Sequence, residues 1–307
     1  MNSAKNLTNN YNKKMIDLSP QAKKCFVSFL DLMGVNNLIE TLGTERAAER
    51  VAEFLFHSVL RLELPGDLRI WEKAIMSDDS IKHFKNLHPE YLLYDKKPNY
   101  IMLSDSLVFY SQSNDVLDFL SLVYITYQVL GMLFSSDILV RGSIAYGELC
   151  VQSDINFIVG DALLKAYKLE RKQNWFGVAV HRSCLEWIGT EDEDIFCIKL
   201  LESLKRNPIL MNYVEMYFPC WITKWNVPYK DENKDFSEGT KLALNWPSSF
   251  NIIPPCCSKP PSDYIHSKIS TERKEKVFED IKEKLENTKK FVQDNFNFCY
   301  EGRLKDL

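Results

Sequence analysis

The sequence has no excess of basic residues. Its 307 residues include 38 Lys and Arg against 42 Asp and Glu, which gives a net charge of −4. A chain with this balance has no general electrostatic attraction to nucleic acid or to an anionic membrane surface. We therefore expect neither nucleic acid nor a membrane among its partners.

Cysteine pairs with the spacing of metal or redox motifs are also lacking, although the chain has eight cysteines. There is no Cys-x-x-Cys pair, and residues 1–20 are polar, without the apolar core of a secretory signal. Reduced thiols in a cytoplasmic protein fit this pattern, and residues 1–20 predict a flexible tail. His181 and Cys184 are spaced like two metal ligands, but nothing nearby completes a zinc set.

Long hydrophobic runs are scarce, and residues 116–134 are the one membrane candidate. The run contains Asp118 and Gln128 and lies between two predicted strands of one domain. A membrane span needs about 20 mostly apolar residues. We therefore interpret the run as a buried helix with a surface that could pack against a second protomer.

Residues 25–34, Cys-Phe-Val-Ser-Phe-Leu-Asp-Leu-Met-Gly, are the stretch around which the chain is organised. Apolar residues on both faces predict a core strand. Asp31 ends this strand, where a buried carboxylate needs a partner such as a metal ion. Gly34 allows a turn with exposed N–H groups, which suits phosphate. A carboxylate that caps the following helix explains Asp31 equally well.

The order of predicted elements is β-α-β-β-α-β-α-β. It indicates an α+β fold of ferredoxin-like type on a mainly antiparallel sheet. After the strand at 25–34, the predicted elements are a helix with a break at Gly43 over 35–63, a hairpin over 100–112, a buried helix over 115–135, a strand over 138–151, a short strand from 155, a helix over 161–172 and a strand over 175–180.

The pattern is weaker after residue 181. Residues 215–226 resemble a strand, 228–268 are irregular, and 270–296 form a charged helix with an apolar stripe. We expect this last helix to dock on the same domain. The predicted organisation is a tail at 1–20, a catalytic domain at 21–190 and a C-terminal extension at 191–307 that packs on it.

Asp31 and Asp105 form the candidate chemical centre. Asp105 lies in the turn Ser-Asp-Ser of the predicted hairpin, which follows the first strand in a β-α-β-β order. The ends of these strands can bring both carboxylates to the same ions. Two carboxylates without nearby His or Cys suit Mg²⁺ or Mn²⁺ and leave room for substrate phosphates. This combination favours a nucleoside triphosphate site.

Four motifs resemble those of class III nucleotidyl cyclases. Residues 29–34 are similar to the family's Phe-x-Asp-Ile-x-Gly strand, and residues 104–106 lie where it has its second metal-binding Asp. Residues 141–148, Arg-Gly-Ser-Ile-Ala-Tyr-Gly-Glu, resemble its Arg-x-Gly-Ile-x-x-Gly-Glu strand. Residues 160–170 resemble its Gly-x-Ala-Val-Asn-x-Ala-x-Arg-Leu-Glu helix. The motifs occur in the family's order over about 25–172.

The departures from the family pattern concern the base and the transition state. The adenine-reading Lys and Asp of adenylate cyclases fall at about Ile101 and Phe157. The family's Asn and Arg fall at Leu164 and Lys168. The chain thus keeps the metal-binding residues of the family pattern and lacks the residues that recognise a purine base. This combination resembles the pyrimidine cyclases of the bacterial Pycsar antiphage systems.

The resemblance implies a homodimer that forms cyclic UMP, or less often cyclic CMP, from a pyrimidine nucleoside triphosphate. The product would activate a separate effector protein. It also implies two Mn²⁺ or Mg²⁺ ions per site. The implied site residues are Asp31, Leu32 and Asp105 for the metal, Phe29, Met33, Gly34, Val35, Ile101 and Phe157 for the substrate, and Arg141 and Lys168 as catalytic cations.

Three alternatives remain open at this point. The chain could be a cyclase for ATP or GTP with an unfamiliar base pocket, or a cyclase-like domain that binds a nucleotide without turnover. The loss of the Asn and Arg pair supports the second alternative, and the two retained carboxylates oppose it. Arg141 could also be a structural arginine of its strand.

Overall fold

The computed structural model describes residues 21–33, 40–49 with gaps, 92–93, 96–135, 138–152, 157–230, 239–251 and 282–295. The predicted tail at 1–20 lies outside these residues. Of the helix predicted over 35–63, described residues between 40 and 49 are helical on both sides of Gly43. Gly43 itself has φ of 81°, which breaks the helix as expected.

The described strands form one mixed sheet. Its strands are β1 (Lys23–Met33), β2 (Asn99–Leu103), β3 (Ser106–Tyr110), β4 (Leu139–Gln152), β5 (Phe157–Val159), β6 (Gly177–His181), β7 (Ile222–Lys224) and β8 (Gly239–Leu244). The spatial order is β2-β3-β1-β4-β6-β8-β7, with β5 paired to β4. Among the described strands, only β4 and β6 pair in parallel. The predicted α+β class and mainly antiparallel sheet are confirmed.

The helices pack on both faces of this sheet. They are α1 (Val116–Ser135), α2 (Asp161–Lys172), α3 (Arg182–Trp187), α4 (Glu193–Ser203), α5 (Pro208–Trp221), a 3₁₀ helix (Trp246–Asn251) and a C-terminal helix over 282–295. Alternate residues of β1 are buried in two separate clusters. Phe26 and Leu30 pack with α1, and Val27 and Phe29 pack with α2.

Helix α1 is a core helix. Among the described residues, it alone is long and apolar enough to cross a membrane, and 78% of its most apolar window is buried. Asp118 within it accepts hydrogen bonds from the backbone N–H groups of Gln112 at 3.2 Å and Ser113 at 3.3 Å. Most of the helix is therefore buried within its own chain, and its contact with a second protomer stays a prediction.

The strand predicted over 215–226 is wrong for most of its length, because α5 continues to Trp221. Asn207 caps this helix, Pro208 starts it, and Leu210, Val214, Phe218 and Trp221 are buried at helical spacing. The irregular interpretation of 228–268 is also partly wrong, because β8 lies within that stretch and pairs with β6 and β7.

The C-terminal helix contacts the sheet domain through aromatic rings and hydrogen bonds. The ring of Phe291 lies 4.7 Å from that of Trp175 and 4.8 Å from that of Trp225. The Thr288 hydroxyl accepts a hydrogen bond from the Phe176 N–H at 2.8 Å. The described part of the predicted charged helix is therefore docked, while the domain boundaries stay a prediction.

Candidate functional site

The first strand and the hairpin place Asp31 and Asp105 side by side. Asp31 pairs with Ser106 in the β1–β3 register. The Leu32 backbone N–H donates a hydrogen bond to the Asp105 carbonyl oxygen at 2.9 Å. Ser104, the first residue of the turn, has φ of 56°, so the turn is tight. Two carboxylates far apart in sequence therefore share the end of β1.

The Asp31 carboxylate lies in a partly desolvated position. Its side chain is 23% exposed, and burial is the main cause that raises its pKa. The Arg141 guanidinium acts in the opposite direction, and the negative charge of Asp105 raises the pKa further. The end of β1 thus holds a carboxylate whose charged form would gain from a nearby cation.

Arg141 lies between two carboxylates. It is opposite Asp31 in the β1–β4 register, with its Nη2 atom 3.6 Å from the Asp31 Oδ2 atom. Its Nε atom donates to the Glu170 Oε1 atom on α2, and both side chains of this pair are buried. Burial raises the pKa of Glu170, and Arg141 opposes that change. This geometry is that of a positioning arginine, so the direct catalytic role of Arg141 stays a prediction.

The other substrate residues expected on β1 surround Asp31 along the chain. Phe29 lies two residues before it on the same face, and its ring packs edge-on against Tyr167 at 5.7 Å. Leu32 is buried and Met33 is half-buried at the end of the strand. Gly34 and Val35, the predicted phosphate turn, lie outside the described residues.

Ile101 and Phe157, the two residues expected to contact the base, lie far apart within one chain. Ile101 is half-buried on β2, the strand that leads into the turn with Asp105. Phe157 is exposed on β5 and pairs with Gln152, at the opposite end of β4 from Arg141. Helix α2 links these ends of β4 and has 12 residues, which corresponds to about 18 Å.

Lys168, the catalytic cation predicted on α2, lies on a different surface from the carboxylates of Asp31 and Asp105. Lys168 is exposed on the outer surface of the helix, as is Leu164 one turn earlier. In contrast, Glu170 turns inward to Arg141. The structure therefore joins Asp31, Asp105, Arg141 and Glu170 into one cluster. Lys168 belongs to a different surface of the same helix.

The sequence does not predict three further cations near Asp31 or the Arg141–Glu170 pair: Arg171, Lys230 and Lys284. Arg171 and Lys284 lower the pKa of Asp31, although less than Arg141 does. The Lys230 ammonium donates to the Arg171 carbonyl oxygen at 2.8 Å. Arg171 follows the recognised motif directly and could have been included. Lys230 and Lys284 are far away in sequence, and no local pattern marks them.

The donor set can be compared with the requirements of a divalent cation. Within the described residues there is no group of three or more His, Cys, Asp or Glu side chains placed to hold a metal. Asp31 and Asp105 supply hard oxygen ligands, and burial, with the negative charge of Asp105, raises the pKa of Asp31. Two carboxylates fit Mg²⁺ or Mn²⁺ when water and phosphate complete the coordination.

Comparisons with known proteins find likeness only at the level of solved structures, and it is distant. No family model matches the chain, and no curated protein matches it. A solved structure, described as the crystal structure of the guanylyl cyclase Cya2, is 12% identical with a TM-score of 0.38. The match covers 56% of this chain and 81% of that one.

Proposed function

We propose that this chain is a nucleotidyl cyclase that acts on a pyrimidine nucleoside triphosphate. The observation that carries the proposal is the placement of Asp31 and Asp105 together at the end of β1, with Arg141 held beside Asp31. A pure binding module has no need for two paired carboxylates next to a buried arginine. The resemblance of the surrounding motifs supplies the reaction class.

The reaction joins two parts of one nucleotide. The ribose 3′-oxygen forms a bond to the α-phosphorus, the bond from that phosphorus to the β-phosphate oxygen breaks, and the hydroxyl proton passes to water. Cyclic nucleotide and pyrophosphate are the products. Asp31 and Asp105, with the Leu32 carbonyl, would hold Mn²⁺ or Mg²⁺, up to two ions per site. Such ions, when bound, neutralise phosphate charge and acidify the attacking hydroxyl.

The chain's own residues prepare the site for this chemistry. Arg141 favours the ionised form of Asp31, and Glu170 fixes the guanidinium from the other side. The edge-on contact between Phe29 and Tyr167 covers the sheet next to Asp31. These contacts orient the carboxylate before substrate arrives, which reduces the reorganisation needed in the transition state.

A homodimer is part of the proposal. The carboxylates and Phe157 lie at opposite ends of β4 in one chain, so a site that uses both needs a second copy. Leu164 and Tyr167 on α2 are 49% and 40% exposed, and α2 covers the sheet face that carries Phe29. Exposed apolar side chains on that helix suit an interface between copies.

The choice of base is proposed from the residue types at Ile101 and Phe157. Neither side chain can hydrogen-bond a purine ring edge, and a site built for one base rejects others through unpaired polar groups. We place UTP first and CTP second on the resemblance alone. We also propose that cyclic UMP is an antiphage signal in the cytoplasm for a separate effector. The five described cysteines are in the reduced thiol form, which fits that location.

A product assay tests the proposal. The full chain is incubated with Mn²⁺ and each of the four nucleoside triphosphates, and cyclic products are identified by mass spectrometry. Cyclic UMP as the main product supports the proposal. Cyclic AMP or cyclic GMP as the main product overturns the pyrimidine assignment, whereas the assignment of cyclase activity still holds. Nucleotide binding without any cyclic product supports the alternative that the chain is a cyclase-like domain that binds a nucleotide without converting it.

A further inference from the structure

The end of α2 is tied to β4 by one completely buried glutamine, Gln173. Its side-chain Nε2 atom donates hydrogen bonds to the Gly142 carbonyl oxygen at 2.7 Å and to the Leu169 carbonyl oxygen at 3.4 Å. Its backbone N–H donates to the Glu170 carbonyl oxygen at 3.1 Å. Gly142 directly follows Arg141, so Gln173 connects the backbone beside Arg141 to the helical turn that carries Glu170.

Trp175 fixes the orientation of the Gln173 amide. The Trp175 indole N–H donates to the Gln173 Oε1 atom at 2.8 Å, so a flip of the amide would lose this hydrogen bond as well as the one to Gly142. The indole is itself completely buried, and its ring lies 4.7 Å from the rings of Trp225 and of Phe291 on the C-terminal helix. Gln173 therefore has a single orientation, with its amide nitrogen directed to β4.

The same indole also supports Arg141 through β6. A Cβ atom on Gly177 would lie 2.2 Å from the Trp175 Cη2 atom, so the indole packs directly against the Gly177 backbone. Gly177 is the residue paired with Arg141 in the parallel β4–β6 register. The Arg141 backbone is thus held from two sides, by Gln173 at the following residue of β4 and by the packing of Trp175 on the neighbouring strand.

The position of Arg141 depends on how α2 and β4 lie against each other, because its two partners are on different elements. Its Nη2 atom lies 3.6 Å from the Asp31 Oδ2 atom on β1, and its Nε atom donates to the Glu170 Oε1 atom on α2. A shift of α2 along β4 would move Glu170 and draw the guanidinium away from Asp31. Gln173 opposes such a shift, because it binds β4 and α2 within one residue of Arg141 and three residues of Glu170.

We propose that Gln173 is a positioning residue for the cyclase reaction, which holds the Arg141 guanidinium beside the Asp31 carboxylate. This inference rests on the proposed function. The contact between Trp175 and Phe291 extends the support to the C-terminal helix, which then contributes to the order of the site as well as to the stability of the fold. A glutamine that only closed the end of α2 would stabilise the protein without any coupling to Arg141.

A double-mutant cycle on turnover of UTP with Mn²⁺ by the full chain tests this role. We expect Gln173→Met to lower kcat/KM about tenfold, because the side-chain volume is kept while the hydrogen bonds that position Arg141 are lost. In the Arg141→Lys background, the same change should lower kcat/KM less than about twofold, since the group that Gln173 positions is already altered.

Thr240→Val is the matched control for the loss of a buried hydrogen bond. The Thr240 hydroxyl donates to the Val180 carbonyl oxygen at 2.7 Å, between β8 and β6. We expect this variant to keep kcat/KM within about twofold in both backgrounds, because it does not touch the connection between α2 and β4. If Gln173→Met does not fold, Trp175→Phe replaces it, since it keeps an aromatic ring and removes the N–H that orients the Gln173 amide.

Unfolding in urea gives a second readout that needs no turnover. We expect the combined effect of Gln173→Met and Arg141→Met on the folding equilibrium constant to be at least about fivefold smaller than the product of the single effects. An equal loss of kcat/KM on Gln173→Met in both backgrounds overturns the inference. If the protein without substitutions forms no cyclic product, the proposed function fails and the unfolding cycle decides: independent effects then overturn the inference, whereas coupled effects keep Gln173 as the residue that positions Arg141.

Discussion

Single residues at the end of β1 have environments that packing alone does not require. Asp31 lies 3.6 Å from Arg141 on one side and close to the negative charge of Asp105 on the other. Arg141 is also paired with the buried Glu170. A carboxylate with raised pKa beside a specific charge partner is a common feature of functional sites. Two predictions belong to this scale.

We expect Asp31→Ala and Asp105→Ala each to abolish cyclic nucleotide formation. Either change removes a hard oxygen ligand that both substrate activation and leaving-group neutralisation would need. The double variant should be no less active than either single variant, because groups that act together are not additive. Asp294→Ala, at an exposed position of the C-terminal helix, is the control. Near-normal turnover in either single variant would show that the carboxylates do not act together.

We expect Glu170→Ala and Arg141→Ala to lower the free energy of unfolding by about 3 kcal/mol each, since either leaves a buried charge without its main partner. Urea denaturation gives the values. The double variant Arg141→Met with Glu170→Leu should lose less than the sum of the single losses. Losses under about 0.5 kcal/mol in both single variants would mean that the pair contributes no stability.

At the scale of elements, glycines allow the central strands and α2 to approach closely. A Cβ atom on Gly142 would lie 2.4 Å from the Phe29 carbonyl oxygen and 2.6 Å from the Leu30 Cδ2 atom. One on Gly160 would lie 2.2 Å from the Glu148 carbonyl oxygen. Backbone atoms cannot move aside like flexible side chains, so these positions set the spacing of β1, β4 and α2.

We expect Gly142→Ala to destabilise the fold by about 2 kcal/mol, because the added methyl group overpacks the β1–β4 pair. Ser28→Ala is a control on β1. The buried Ser28 hydroxyl has no hydrogen-bond partner among the described residues, so its removal should be neutral or slightly stabilising. Thermal and urea unfolding of both variants give the comparison. A fully stable Gly142→Ala protein would contradict the close approach of the two strands.

At the scale of the whole molecule, the proposed site needs two copies of the chain. We expect a dimer in sedimentation velocity at micromolar concentration. Leu164→Asp should shift it toward monomer, because a charge would then lie in an apolar interface. Met216→Asp, on α5 at a position that is 68% exposed, should leave the dimer unchanged. If the protein without substitutions were active as a monomer, the proposal of an active site shared between two copies would be refuted.

Local sequence patterns determined much of this architecture. Helix α2 was predicted over its observed residues, because its apolar positions repeat at helical spacing and Gly160 stands directly before it. The hairpin around Asp105 and the two-sided burial of β1 were also predicted from short runs. Asp31 and Arg141 could be selected because a charged residue at a buried strand position contradicts the apolar pattern around it. Asp105 could be selected because it lies in the turn of the predicted hairpin.

Only the tertiary structure decided how these residues and the rest of the chain meet. The aromatic residues of 215–226 predict a strand locally, whereas packing selects helical spacing as far as Trp221. Strand β8 exists through pairing with distant β6 and β7. Lys230 and Lys284 act on the site through space. Electrostatic interaction depends on distance between charges, and no periodicity along the chain records that distance.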